Sequence, residues 1–575
     1  MVTWNEKKVL RGETRQHHIQ QSQQLVKKIE RYKHELSAEK PDDIKHILDV
    51  EEELTTHLNI VGSYDALRTS QDTTDEEAKS DQSSFSDVTS DFHRRTLFVS
   101  QWIKNVSKKD FQTLIESPCL EEYAYSLQQI RKGKPYMLSD DVEKALSIKS
   151  PAVQQLTQAY QTLESQITYE FEGEELTRGE ISKHMRSADQ EKRRKAYDEF
   201  YKEFTTYKDV FSDIYTGVVK DWSNEAIHLR KYESPLHVRS HGQDIPRQAV
   251  NTMLETIQEN IDIYQEFFSL HKDLLGVEEY DRRDIYAPIS TEKEYEYEES
   301  LNLVLSVYNN FHPQFKDIVQ GLVDDERIHS HPQKNKRSGA FCLGPHNKEE
   351  PYVMLNHTDD LNSVYTMAHE FGHAIHYSLS KKQKNTYYDA VLPIAETASI
   401  FGEMLLTDRL LQTQNEEQKK AVITNILSST YASIPRQAYF VLFEQRAHQE
   451  ILNGKTNKLS QDYMELLEEQ FGDLDIPEYF EKEWTAIPHI YRTPFYCYAY
   501  AWGNLLTLAL YDIYKEQGKE FKQQYIELLS NGSSKKPQDL LEPFEINIES
   551  KQFWQRGFNT LQTYLDELKN ISQTN

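Results

Sequence analysis

Apolar residues recur at helical spacing over most of the chain, and this pattern predicts a mainly α-helical protein. The clearest case is residues 245–275, where Gly276 follows as a stop signal after apolar residues at Val250, Leu254, Ile257, Ile261, Tyr264 and Phe268. Two polar helices are predicted at 24–36 and 44–61. Residues 95–220, and the chain after Pro393 nearly to its end, also show helical periodicity.

Two short stretches depart from this pattern and favour strands. Residues 167–172 form a brief run of β-branched and aromatic residues, and residues 340–356 hold several more. The second stretch predicts a small sheet. Residues 70–91 are rich in Ser, Thr and Asp, a composition typical of linkers.

One predicted helix carries a group of residues with metal-binding chemistry. After Asp359 and Asp360, which are suited to cap a helix, the chain reads His369-Glu370-Phe-Gly-His373. Histidines four apart lie on one helix face, where they can bind zinc with the intervening glutamate beside the ion as a base. The apolar neighbours predict that this helix is buried, and buried histidines need partners.

A catalytic zinc needs a third protein ligand, and its spacing separates the known classes of this motif. Thermolysin-like enzymes and zinc aminopeptidases place a glutamate about twenty residues after the second histidine, where this chain has Leu392 and Pro393. Metzincins need glycine and histidine where this chain has His376 and Leu379. Both classes are disfavoured.

Glu396 is the predicted third ligand, on a helix opened by Pro393 and spanning about 394–410. Glu403 shares its helix face and is predicted to accept the other N–H of a ligand histidine, with a plain surface carboxylate as the alternative. His376 follows His373 by one turn. We expect it to form the wall of the site, since three ligands on one straight helix would crowd one side of the ion.

Four ordered segments then resemble one family. His369–His373 with Glu396-Thr-Ala-Ser399, residues 336–344, residues 351–356 and the histidine/tyrosine block 489–502 are similar to the thimet oligopeptidase/oligoendopeptidase F family of zinc peptidases. The bacterial oligoendopeptidase F branch fits best. The resemblance covers about residues 336–502, while the N-terminal third is similar only in being helical.

The resemblance implies an architecture and a function. It implies multi-helix lobes around a deep substrate channel, with the small sheet near the zinc helix (about 361–380), and it puts residues 70–91 in a loop between helices. We expect an N-terminal helical lobe at 1–200 and a catalytic domain at 201–575. The activity implied is endopeptidase cleavage of short unfolded peptides, with one Zn²⁺ per chain.

The resemblance also implies roles for individual side chains. Glu370 would take a proton from the attacking water and pass it to the leaving nitrogen. His489 and Tyr500, with Tyr496 less securely matched, would donate hydrogen bonds to the substrate or its oxyanion. Substrate-binding positions are predicted at Tyr498, Tyr352 and Gly344, the last because glycine would let a peptide backbone approach the strand. Any of the aromatic residues could instead be core.

Composition limits the partners and the compartment. The net charge of −27 repels nucleic acid and anionic membranes. Cys119, Cys342 and Cys497 are odd in number and far apart, which favours a reducing compartment. With no hydrophobic leader pattern and no apolar run long enough to span a bilayer, we expect a cytoplasmic protein, either a monomer or a small homo-oligomer.

Two other functions remain open from the sequence. One is a catalytically idle helical protein that binds peptides, although intact Glu370 and all three predicted ligands speak against it. The other is a zinc aminopeptidase, although the spacer to Glu396 does not match that class and the chain lacks a Gly-x-Met-Glu-Asn motif.

Overall fold

The structure is a computed structural model that describes residues 2–289 and 293–573. Helices dominate it, as the periodicity predicts. In chain order they are α1 (Arg15–Glu30), α2 (Pro41–Gln71), α3 (Glu76–Asn105), α4 (Lys108–Ile115), α5 (Ala124–Lys132), α6 (Asp140–Gln166), α7 (Arg178–His184), α8 (Gln190–Thr206), α9 (Lys208–Trp222), α10 (Pro235–Gly242), α11 (Arg247–Glu259), α12 (Asp262–Leu275), α13 (Tyr297–Phe311), α14 (Pro313–Asp324), α15 (Leu361–Ser380), α16 (Asn385–Tyr388), α17 (Leu392–Ala395), α18 (Thr397–Thr413), α19 (Glu416–Ser433), α20 (Pro435–Leu452), α21 (Leu459–Phe471), α22 (Pro488–Arg492), α23 (Tyr498–Gln517), α24 (Lys519–Ser530), α25 (Pro537–Leu541) and α26 (Lys551–Gln573).

The chain forms two compact units, each assembled from three segments. Unit 1 comprises Met1–Met137, Lys293–Leu406 and Gln517–Glu545, and unit 2 comprises Leu138–Glu292, Thr407–Glu516 and Ile546–Asn575. This division differs from the single boundary expected at residue 200. Periodicity along the sequence shows where helices lie but not which distant segments pack together, so a discontinuous unit leaves no local signal.

In unit 1, the N-terminal helices share a core and a small sheet lies against α15. Strand β3 (Ile328–His329) pairs in parallel with β5 (Tyr352–Met354), which pairs antiparallel with β4 (Phe341–Leu343). The N-terminal core includes Leu25, Ile29, Ile44, Ile47, Val99 and Ile103. The expectation of a loop over 70–91 is wrong, because α2 continues to Gln71 and α3 begins at Glu76 after an Asp75 cap that accepts from Ala78 N at 2.9 Å.

Over the residues that the structure describes, unit 2 is helical apart from one hairpin. Strands β1 (Tyr169–Phe171) and β2 (Glu174–Leu176) pair antiparallel across Glu172 and Gly173, which both have positive φ. The single helix predicted over 245–275 is two helices, α11 and α12, separated at Asn260 and Ile261. Its predicted end is confirmed, since Gly276 adopts the left-handed conformation with φ 64°. The apolar stripe runs on across the break, so periodicity alone cannot detect it.

The mainly α fold, with helical lobes and a small sheet beside α15, is confirmed. Over the described part of the chain, none of the helices has the length and apolar character needed to cross a membrane.

Candidate metal centre

The two histidines of the motif project from one face of α15. The helix begins after Asp360, whose carboxylate accepts a hydrogen bond from Ser363 N at 2.7 Å. His369 and His373 lie one turn apart, with ring centroids 4.9 Å from each other. The opposite face of α15 is packed in the core of unit 1, which fixes the direction in which the two rings point.

Glu396 completes a three-residue cluster with these histidines. Its Oε2 lies 3.4 Å from Nε2 of His369 and 3.4 Å from Nε2 of His373. Zinc bonds of about 2.0–2.1 Å in a tetrahedron separate neighbouring ligand atoms by about 3.3–3.4 Å. The donor set and these separations therefore fit a zinc ion with three protein ligands and a fourth position left for water.

Glu396 is placed by a break between two helices rather than by one continuous helix. It is the C-cap of the four-residue helix α17, and α18 begins at Thr397, so the helix expected over 394–410 is interrupted at this residue. Ser399 Oγ donates to Glu396 Oε2 at 2.9 Å and orients the carboxylate. Ser399 is not among the residues predicted for the site, although its position three residues after Glu396 in a helical pattern would have indicated it.

The other ring nitrogen of His369 is also engaged. Its Nδ1 lies 2.6 Å from Oε1 of Glu403 on α18. This contact leaves Nε2 facing Glu396, as a metal ligand requires. Burial opposes charge on the imidazole, but the carboxylates of Glu396 and Glu403 raise the pKa of His369 well above its usual range.

A reciprocal shift occurs at the carboxylate. Although burial favours the neutral acid, His369 and His373 hold the pKa of Glu396 far below its usual range. The cluster therefore places one carboxylate oxygen and two imidazole nitrogens where all three could bind the same cation.

Glu370 faces a cavity of about 270 Å³ beside the cluster. Its side chain is buried, and burial raises its pKa above the usual value for a glutamate. A carboxylate with a raised pKa is suited to accept and return a proton. The cavity is lined by Ala340, Phe341, Cys342, Glu370, His373, His376, Tyr377, Ser380, Tyr388, Asp389, Ala390 and Ala395.

His376 lies in the wall of this cavity. Burial lowers its pKa to about 4, so the ring is neutral near pH 7. Among the described residues, the group able to hold a metal ion is His369, His373 and Glu396, and His376 is not part of it.

Two glycines bring backbone into close contact around the cluster. A Cβ on Gly372 would lie 2.5 Å from Ser399 Cα, and one on Gly402 would lie 3.1 Å from Ala368 O. Tyr308 also donates to Ala368 O at 2.5 Å. Helices α15 and α18 therefore meet backbone to backbone, which sets the spacing between the histidines and the carboxylates.

The predicted substrate-binding positions in and near the sheet have other neighbours. Tyr352 is fully buried, its ring lies 4.8 Å from the Arg327 guanidinium, and it packs with Trp4, so its prediction as a substrate contact is wrong. Gly344 lies against Tyr377, whose ring occupies the space that a Cβ would need. Packing within unit 1 accounts for glycine at this position.

The histidine/tyrosine block lies in unit 2. His489 Nε2 lies 3.4 Å from the Tyr500 hydroxyl, and the Tyr496 and Tyr500 rings are 5.2 Å apart. All three are partly exposed. Tyr498 points the other way: it is fully buried and its hydroxyl donates to Gln243, so its prediction as a substrate contact is wrong.

The turn that carries this block depends on Glu444, a residue that is not among those predicted for the site. Phe495 has a positive φ of 58°, and its N–H donates to the buried carboxyl of Glu444 at 2.8 Å. Burial raises the pKa of Glu444 to about 8. Glu444 lies on α20 within an ordinary helical pattern, so only the folded structure indicates its contact.

A helical fold with two histidines and a glutamate within metal-binding distance is an arrangement found in metallopeptidases. The chain belongs to peptidase family M3, whose model matches residues 183–560. A second family model, described as oligopeptidase F, matches residues 102–168. The resemblance predicted from the motifs is confirmed, and the protein is a peptidase.

Relatives match along nearly the whole chain. Oligopeptidase PepF of Bacillus subtilis is 25% identical over 569 residues, covering 96% of this chain and 84% of the relative. An oligoendopeptidase F homolog of Borreliella burgdorferi is 26% identical, covering 92% of each chain. A crystal structure from Chlamydophila abortus has a TM-score of 0.88 at 23% identity, covering 99% and 98% of the two chains. Oligoendopeptidase F from Enterococcus faecium has a TM-score of 0.74 at 19% identity, covering 97% and 99%.

Proposed function

We propose that this peptidase is a zinc-dependent endopeptidase that hydrolyses internal bonds of short unfolded peptides in the cytoplasm. The observation that carries the proposal is the cluster of His369, His373 and Glu396, whose ligand atoms lie within 4.8 Å of one another. Its membership of family M3, a family of metal-dependent peptidases, supports the metal, and the names of its relatives support oligopeptide substrates.

Each side chain of the centre has a separate task in this mechanism. His369 and His373 would hold the ion through Nε2, and Glu396 would hold it through the oxygen that Ser399 orients. When bound, zinc lowers the pKa of a water toward 7 and polarises the scissile carbonyl. Glu370 takes the proton of the attacking water on its carboxylate and later delivers it to the leaving nitrogen.

The developing negative charge of the tetrahedral intermediate needs hydrogen-bond donors. We assign this task to Tyr500 and His489, with Tyr496 as a further contact to the substrate. Burial and the nearby Arg492 lower the pKa of His489, so a neutral imidazole is available as a donor. The assignment rests on the resemblance of the 489–502 segment and on the partial exposure of these three side chains.

A peptide blocked at both ends tests the proposal most directly. An internally quenched peptide of about ten residues should be cleaved by the wild type, and Glu370→Gln should lower the rate by about 10²–10⁴-fold while zinc stays bound. Glu298→Gln, at an exposed glutamate of α13, is the matched control and should keep full activity.

Four outcomes would contradict parts of the proposal. Cleavage that survives Glu370→Gln would reject the proton-transfer role. A requirement for a free N-terminus would favour an aminopeptidase, and binding without cleavage would favour an idle peptide-binding protein. Unchanged zinc content in Glu396→Ala would reject Glu396 as a ligand.

A further inference from the structure

Two arginines of unit 2 share one buried carboxylate. Arg282 Nη2 lies 3.3 Å from Glu483 Oε1, and Arg436 Nη2 lies 2.8 Å from the same oxygen. The other carboxylate oxygen accepts from Tyr463 at 3.1 Å. Arg282 and Glu483 are each 2% exposed at their side chains, so this cluster holds two guanidinium charges against one carboxylate.

The guanidinium of Arg282 is incompletely satisfied. Its Nε and Nη1 are buried and have no hydrogen-bond acceptor within residues 2–289 and 293–573. The rings of Phe480 and Phe471 lie 5.0 and 5.1 Å from the guanidinium and stabilise its charge. Buried N–H donors that lack acceptors are costly, and an anion bound beside them would offset that cost.

A cavity of about 180 Å³ is lined in part by Arg282 and Arg436. A single water needs only about 10–15 Å³ measured in this way, so the cavity has room for a small organic anion. The lining combines arginines with aromatic and aliphatic surface and includes Arg178, Arg186, Arg282, Arg436, Tyr286 and Ile487.

The remaining arginines of the cavity differ in availability. Arg178 is engaged by Glu164 and by Ala486 O at 2.8 Å, which takes up its donors. Arg186 is exposed, and its guanidinium lies 5.5 Å from the Tyr286 ring. The Tyr286 hydroxyl is itself buried and unpartnered within the described residues. Positive charge thus lines the cavity of a chain whose net charge is −27.

We propose that this cavity binds a small carboxylate, with Arg282 and Arg436 as the cationic residues that hold it. A guanidinium presents parallel N–H donors that match the two oxygens of a carboxylate, and the aromatic lining suits the short apolar group that the carboxylate carries. The carboxylate could belong to a free organic acid or to the C-terminus of a peptide, and the two sources are separated by experiment.

Thermal unfolding of the full-length protein with sodium acetate tests the site. At constant ionic strength against sodium chloride, acetate should raise the Tm along a saturating curve, while the neutral isostere acetamide should have no effect. N-acetylalanine against its amide supplies the second arm. A shift with both acids assigns the site to free carboxylates, and a shift with N-acetylalanine alone assigns it to peptide C-termini.

Variants make the result specific to this cavity. Arg282→Met should weaken acetate binding about tenfold or more, because it removes charged hydrogen bonds to the anion. Arg94→Met, at a guanidinium that is 75% exposed on α3, is the matched control and should leave the shift unchanged. Equal shifts with acetate and acetamide, or a full shift in Arg282→Met, would overturn the proposal.

A second variant covers the case in which Arg282→Met fails to fold. Glu483→Gln removes the internal counter-charge but keeps a hydrogen-bond acceptor, so the two arginines should bind acetate several-fold more tightly. A smaller or unchanged acetate shift in Glu483→Gln would reject the site on this ground alone.

Discussion

The Nδ1 atom of His369 lies 2.6 Å from Glu403 Oε1, on the side of the ring away from the metal-facing nitrogen. A carboxylate at Nδ1 keeps a proton on that nitrogen, so the neutral ring would present Nε2 to a metal ion. It also explains why two glutamates seven residues apart on the sequence serve one centre, because they approach different nitrogens of the same imidazole.

Replacing Glu403 should weaken metal binding without removing a ligand. We expect Glu403→Ala to lower zinc affinity about 10–100-fold, because His369 loses the partner that orients its ring. Glu403→Gln keeps an acceptor and should show a smaller loss. Zinc affinity measured by competition with a chelator checks the prediction, and equal affinity of Glu403→Ala and the wild type would contradict it.

A methyl group at Gly372 should push the two ligand-bearing helices apart. Its Cβ would overlap Ala398 O and lie 2.5 Å from Ser399 Cα, so Gly372→Ala should destabilise the protein by about 1–3 kcal/mol and weaken zinc binding.

Gly321→Ala is the matched control for this change. Gly321 lies inside α14 with open space around its Cβ position, and alanine there should stabilise the protein by about 0.5–1 kcal/mol. Urea unfolding with a zinc assay measures both variants. A stable, zinc-loaded Gly372→Ala would show that the helix contact can relax.

Loss of the hydroxyl should affect activity at the partly exposed Tyr500 but not at the buried Tyr352. Tyr500→Phe removes a partly exposed hydroxyl from the proposed oxyanion donors and should lower kcat about 10²–10³-fold. Tyr352→Phe removes a hydroxyl that is buried and, within the described residues, unpartnered, so kcat/KM should stay unchanged. Steady-state kinetics on the quenched peptide measure kcat and kcat/KM for both variants. Equal losses in the two variants would point to a general packing defect instead.

Glu444 should make stability fall as pH rises. Burial raises its pKa to about 8, above the ordinary value of 4.5. A raised pKa means that the folded state prefers the protonated acid, so this contribution is complete below pH 4.5 and is lost as pH rises through 8. The shift corresponds to about 5 kcal/mol at most.

The Glu444→Gln variant isolates this effect, because glutamine keeps an acceptor for Phe495 N–H without titrating. Relative to the wild type, it should gain a few kcal/mol in free energy of unfolding between pH 5 and pH 9, as measured with urea at each pH. A difference between the two proteins that does not vary with pH would refute the prediction.

The sequence predicts the local parts of this molecule well because each has a short-range signal. The capped, apolar helix around His369 appears at Leu361–Ser380, as its periodicity indicates. The spacing that excludes other classes also leads to Glu396, which lies where the histidines converge.

What the sequence could not predict depends on long-range packing. Tyr352 and Tyr498 are polar aromatics in segments near candidate site residues, and only the tertiary fold shows that both are buried. The break at Glu396 turns on the backbone of a single residue within a continuous apolar pattern. Residues 70–91 have the composition of a linker, but most of them lie in α3, where Phe92, Val99 and Ile103 farther along the helix face the N-terminal core.

The backbone contact between α15 and α18 at Gly372 and Gly402 has a consequence for motion as well as geometry. Because the two helices meet at these glycines, and Tyr308 holds Ala368 O beside them, neither helix can slide or roll by repacking a rotamer of its own. Amide hydrogens along Ala368–Phe371 should therefore exchange with solvent only when unit 1 opens as a whole. The ligand atoms would then keep their separations through ordinary thermal fluctuation, because the backbone contact between the two helices fixes the coordination geometry.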